Sequence, residues 1–206
     1  MEKISDGYYY EVYDIGNCRV LKKKKSFFKI VEAIKGKSDI GLVRKLYRAY
    51  KHIRHCEKVT DIIKKSNIPK ELLANPVFVN RTDYKQDRVM LLMDYFDSHI
   101  TTENKVVVDK YIDLIKEFFG YGIHDNVYKF KNSYGINKEG KVVCIDFNEM
   151  VFSKEDVIKF VEIEEWRTQA QFTKFKEGEL KDYIANKYKE ILNPTSIDNL
   201  WDISHK

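Results

Sequence analysis

The sequence predicts an α+β protein of two lobes, a small β-rich N-terminal lobe and a short, mainly helical C-terminal one. Three observations carry that expectation. Short runs rich in Tyr, Val and Ile, punctuated by Gly, Asn and Asp turns, flank a single long helical pattern in the first half. Beyond Glu103 helical periodicity takes over. One hairpin signal is embedded in that second half, at Asn137-Lys138-Glu139-Gly140. The lobe boundary is expected near Asp97–Glu103, which divides one domain into residues 1–97 and 98–206.

The elements follow in order. Tyr8–Tyr13 and Cys18–Lys23 read as strands joined by a turn at Asp14-Ile15-Gly16-Asn17. Lys22–Lys25 is a run of four lysines, and Ser26–Lys35 reads as a short helix. Asp39 is placed to cap a long helix through Lys65, with Leu42, Leu46, Tyr50, Ile53, Cys56, Val59 and Ile63 at helical spacing. Pro69 stops it, because proline disfavours helix at the residue before it. Pro76–Val79 and Arg88–Tyr95 read as further strands around a polar turn, Asn80–Asp87. Val106–Phe119 repeats apolar residues at helical spacing and ends at Gly120. Val142–Asn148 is a buried-looking β run whose polar residue, Asp146, comes only at its exit, and Lys154–Val161 and Leu180–Leu192 close the chain as helices.

Composition bounds the function. A 206-residue chain with 43% hydrophobic and 14% aromatic residues is long enough to bury a sizeable core and is globular rather than disordered. The net charge of +5 is the balance of 37 basic and 32 acidic residues, a modest excess that argues only weakly for nucleic acid and suits phosphate-bearing ligands. Cys18, Cys56 and Cys144 lie far apart and form no zinc spacing, so a reducing, cytoplasmic setting is expected. No run approaches the length of a membrane span, and the N-terminus shows no apolar leader.

The segment Gly122–Glu149 carries the chemistry. It holds His124-Asp125, then Asn132, then Asp146 after the hairpin, which are the polar groups that a metal-phosphate site needs: an acid or base, and two oxygen ligands for Mg²⁺. In order and motif the chain resembles the protein-kinase-like superfamily, including RIO-type, lipopolysaccharide-sugar and aminoglycoside kinases, over roughly Asp6 to Glu149. The resemblance implies Asp125 as the catalytic residue and Asn132 and Asp146 as metal ligands, with Asp146-Phe147-Asn148 standing where the family has Asp-Phe-Gly. His124 directly precedes Asp125, and the step from Asp125 to Asn132 is two residues longer than the family spacing. It further implies Gly7 as what is left of the phosphate loop, Lys22 in Val20-Leu21-Lys22 as the phosphate-contacting lysine, and Glu57 as its helix partner with Glu32 in reserve. Asp94 and Phe96 would fall at the hinge whose backbone meets the adenine.

The function implied is ATP-dependent transfer of a phosphoryl group to a hydroxyl of a small-molecule, sugar or protein acceptor, with ATP and Mg²⁺ as cofactors. Two alternatives stand beside it. A pseudokinase, binding nucleotide as a regulator or scaffold, is suggested by the degraded glycine loop and by Asn148. A basic nucleic-acid or partner-binding protein would use Lys22–Lys25 and Lys51–Arg54.

Overall fold

A computed structural model describes residues 1–35, 41–125, 130–173, 175 and 178–201. The chain is α+β and divides into two compact units. Residues 1–64 and 75–88 form the first, and residues 65–74 and 89–206 the second. The division falls at Arg88/Val89, ahead of the boundary read from the sequence.

The first unit is built on a five-stranded antiparallel sheet. Strands β1 (Glu2–Asp6), β2 (Tyr10–Asp14), β3 (Arg19–Lys24), β4 (Val77–Phe78) and β5 (Tyr84–Asp87) lie in the order β1-β2-β3-β5-β4. The β2–β3 turn forms as read from the sequence, with Asp14 Oδ1 accepting the Gly16 N–H at 2.8 Å and Gly16 at a φ of 77°. Cys18 also has a positive φ, 54°, so the turn absorbs it and the strand starts at Arg19. Helix α1 (Phe27–Lys35) and the long α2 (Leu42–Lys65) complete the unit. Ile30 and Val31 of α1 pack with Ala49 of α2 as a buried cluster, flanked by Tyr9, Leu46 and Ile53. Asp39, the expected cap of α2, lies outside the described residues.

Two expectations are corrected beyond the long helix. Asn80–Asp87, read as a polar turn, contains β5, because Tyr84 and Gln86 alternate inward against β3 while Lys85 stays exposed. Arg88–Tyr95, read as one strand, is extended only at β6 (Met90–Leu91) and then turns into helix α3 (Leu92–Ser98). Leu92 and Phe96 bury at helical spacing, and Ser98 Oγ donates back to the Asp94 carbonyl at 2.7 Å. A continuous apolar run serves strand and helix alike, so hydrophobicity alone did not separate them.

The second unit centres on α4 (Thr101–Gly120), whose inner side buries Val107, Tyr111, Leu114, Ile115 and Phe118. Strand β7 (His124–Asp125), helix α5 (Phe130–Ser133), strands β8 (Tyr134–Ile136) and β9 (Val142–Cys144), and strand β10 (Met150–Val151) follow. Strands β6, β8 and β9 pair in one small antiparallel sheet, and β7 pairs with β10 in another. Helices α6 (Lys154–Glu162), α7 (Ala170–Thr173), α8 (Glu179–Ile191) and α9 (Pro194–Leu200) finish the unit. Trp166 is fully buried between Phe172 and Tyr188, at ring distances of 5.0 and 5.2 Å, and serves packing.

Candidate functional site

The β8–β9 hairpin is the scaffold of the candidate site. Asn137 Oδ1 accepts the N–H groups of Glu139 and Lys141, both at 3.0 Å, and Gly140 takes a φ of 73° to close the turn. The strands then run in a fixed register, Tyr134 opposite Cys144 and Ile136 opposite Val142. That register makes the ends of the hairpin meet. The Ser133 carbonyl accepts the Ile145 N–H at 2.8 Å and reaches the Asp146 N–H at 3.3 Å. Asn132, one residue before Ser133 and exposed, is thereby held beside the loop that carries Asp146.

Gly135 allows this sheet to form. A Cβ at that position would lie 2.6 Å from the Met90 carbonyl oxygen and collide with the Val89 side chain, so β6 approaches β8 closely only because the side chain is missing.

Asp125 and Asp146 differ in setting. Asp125 is 8% exposed on β7, opposite Met150. Its Oδ2 accepts a hydrogen bond from the Tyr134 hydroxyl at 2.9 Å, on a tyrosine that is itself fully buried. Burial and the neighbouring Asp125 carboxylate push the Tyr134 phenol well above its ordinary range, so the ring stays a donor across the physiological span. Asp146 is half-buried after β9, and its Oδ1 accepts from the Asn148 side-chain amide at 2.8 Å. Asn148 thus orients the carboxylate through its amide.

His124 is structural. Its ring stacks on Phe119 at 5.4 Å and meets Phe160 edge-on at 5.6 Å, and burial lowers its pKa from 6.5 to about 3. Burial therefore disfavours the imidazolium, and the ring packs among aromatics one residue before Asp125 on β7.

The oxygen donors fit a hard divalent cation. Among the described residues no group of three His, Cys, Asp or Glu side chains gathers as a ready-made metal cage. One carboxylate and one amide oxygen, at Asp146 and Asn132, match the habit of Mg²⁺, which takes one or two protein oxygens and fills its remaining positions with water and phosphate.

In the first unit two expectations change. Lys22 and Lys24 point to the same side of β3, and Lys24 pairs with Glu57 at 3.4 Å. Lys22 is buried, its Nζ 5.8 Å from the Tyr84 ring centre, because β5 pairs Tyr84 directly opposite it. Glu57 also meets Arg54 and Arg81 at 3.4 and 3.6 Å, while Glu32, the reserve partner, is exposed on α1. Gly7 is the second correction. Its N–H donates to the Tyr10 carbonyl at 2.9 Å, and Lys25 N–H ties down the Tyr9 carbonyl at 2.8 Å. The β1–β2 connection is a closed, tightly hydrogen-bonded turn, and the Gly7 amide is already spent.

Asp94 and Phe96 are corrected as well. Both lie on α3 rather than in an extended connection. The Phe96 carbonyl accepts the Asn104 side-chain amide at 3.1 Å, and its ring is buried against Phe130 and Phe175, so this residue is packing. Asp94 is exposed in the first turn. Tyr134 and Ser133 are the residues around Asp125 and Asp146 that sequence reasoning missed, and neither carried a local signal.

Neither a protein family model nor a curated protein matches the sequence. Solved structures do match, among them the complex of Rv3197 with erythromycin from Mycobacterium tuberculosis, with a TM-score of 0.50 at 11% identity. The likeness covers 92% of this chain and 53% of that one, so the chain spans about half the length of that relative. At this identity the similarity carries the α+β fold alone.

Proposed function

We propose that the protein is an ATP-dependent phosphotransferase of protein-kinase-like type, acting on a hydroxyl acceptor. The observation that supports the reading is the hairpin closure, in which the Ser133 carbonyl accepts the amides of Ile145 and Asp146 and brings the backbone ahead of β8 to the loop that carries Asp146. Asn132 and Asp146 would ligate Mg²⁺, which when bound supplies neutralisation of charge across the phosphates. Asp125 accepts the proton of the acceptor hydroxyl, or orients it, with its carboxylate held in one rotamer by the Tyr134 hydroxyl. Within the first unit, Lys22 would contact phosphate, with Lys24, held by Glu57, beside it on β3. Catalysis of this type is positioning plus electrostatics, and buried, hydrogen-bonded side chains are suited to it.

The test is consumption of γ-labelled ATP with Mg²⁺, comparing wild type with Asp146→Ala and Asp125→Asn. Loss of turnover in both supports the assignment, and turnover unchanged by Asp146→Ala overturns it. A second reading, a nucleotide-binding regulator without turnover, is favoured by the closed Gly7 turn, which leaves no Gly7 amide to cradle a phosphate. Nucleotide binding without turnover in wild type would select it.

A further inference from the structure

The outward face of α2 takes no part in the proposed phosphotransfer site. Ala49, Cys56, Val59 and Ile63 turn inward and are buried, so the helix is anchored by one side. On the other side Val43, Tyr47 and Tyr50 follow one another at helical spacing and are 79%, 64% and 57% exposed. Arg44, Arg48 and Lys51 repeat the same spacing one residue further round, all exposed. No acidic residue occurs between Leu42 and Cys56. The face therefore combines an apolar stripe with a cationic one and carries no acidic residue of its own along that stretch. Elsewhere in the unit several lysines are neutralised locally, Lys24 by Glu57, Lys25 by Asp6 and Lys29 by Glu11.

We infer that this face of α2 docks the protein on an anionic lipid surface. Charge complementarity selects a polyanion, and the apolar stripe selects lipid among polyanions. Tyrosines favour the headgroup boundary, with the ring in the apolar layer and the hydroxyl in water. Leu42 and Val43, 56% and 79% exposed at the start of the helix, gain by entering an acyl boundary and gain nothing from a stacked base. Arginine and lysine beside them meet the lipid phosphates. Each basic side chain strengthens binding to an anionic surface about fivefold at low salt.

The experiment is sedimentation of the full chain with vesicles of phosphatidylcholine plus phosphatidylglycerol and with vesicles of phosphatidylcholine alone. Binding is expected to the anionic vesicles only, to fall with added salt, and to drop at least tenfold in an Arg44→Glu, Arg48→Glu, Lys51→Glu triple variant. Tyr47→Ser with Tyr50→Ser weakens it at fixed charge. All five positions are exposed, and circular dichroism of each variant confirms the fold. Absence of binding to the anionic vesicles, equal binding to both vesicle types, or binding indifferent to both variants overturns the inference. So does tight binding of a single-stranded oligonucleotide that the triple variant abolishes while vesicles fail to bind.

Discussion

The buried His124 makes stability depend on pH in a way that can be calculated. Folded, the ring resists protonation down to about pH 3, against an ordinary value of 6.5, because burial between Phe119 and Phe160 excludes the charged form. Between those values the unfolded chain binds the proton and the folded chain does not. Acidification therefore favours unfolding, and the stability at stake is complete above pH 6.5 and lost as the pH falls toward 3. Each pH unit in that window costs about 1.4 kcal/mol, so acidification from neutrality to the mid-acid range, roughly pH 4, removes about 3 kcal/mol through this residue alone. Carboxylates add their own acid dependence, so the informative quantity is a difference. His124→Phe keeps an aromatic ring among aromatics and deletes the titration. Urea unfolding of both proteins at neutral and acid pH is expected to show the wild type losing about 3 kcal/mol more than the variant. Parallel losses would refute a neutral, buried His124 and return it to the list of candidate acids and bases.

Other expectations follow from the same geometry. Tyr134→Phe removes the hydroxyl that donates to Asp125, and is expected to cost about 1.5–3 kcal/mol in chemical denaturation and to lower turnover without abolishing it. Because the Tyr134 phenol is raised above its ordinary 10, the folded state holds that proton longer than the unfolded one, so stability is lost as pH rises past 10 and the variant loses less. Gly135→Ala forces a Cβ against the Met90 carbonyl and is expected to destabilise by at least about 2 kcal/mol, whereas Gly7→Ala, whose Cβ would sit 3.4 Å from the Tyr10 oxygen, is tolerated in a thermal melt. Lys22→Met and Lys24→Met are each expected to depress turnover, and Lys24→Met does so with little loss of stability, its pair with Glu57 being partly exposed.

What was legible in the sequence was local. Gly16, the long helical repeat before Pro69, and Asn137–Gly140 are signals that act through backbone geometry, and the structure places a turn, a helix and a hairpin there. The hairpin between Tyr134 and Cys144 was legible for the same reason, since its turn signal returns the chain to its start. Pairing across the chain was not. That Tyr84 stands opposite Lys22, and that Lys24 pairs with Glu57, depends on β5 packing beside β3 across the whole length of α2. The Tyr134–Asp125 bond likewise needs two separate small sheets to come together, and neither residue carries a local mark of it. Leu92–Ser98 misled because an apolar run reads as strand until its packing partners are known.

The hairpin site is tested most directly by calorimetric titration of ATP with and without Mg²⁺, in wild type and in Asp146→Asn. The substitution is nearly isosteric, so a change reports the lost charge rather than a lost fold. Tighter ATP binding in the presence of Mg²⁺ in wild type, with that gain abolished in Asp146→Asn, is the expected result. A Mg²⁺ effect of equal size in both proteins would contradict a metal-binding role for Asp146.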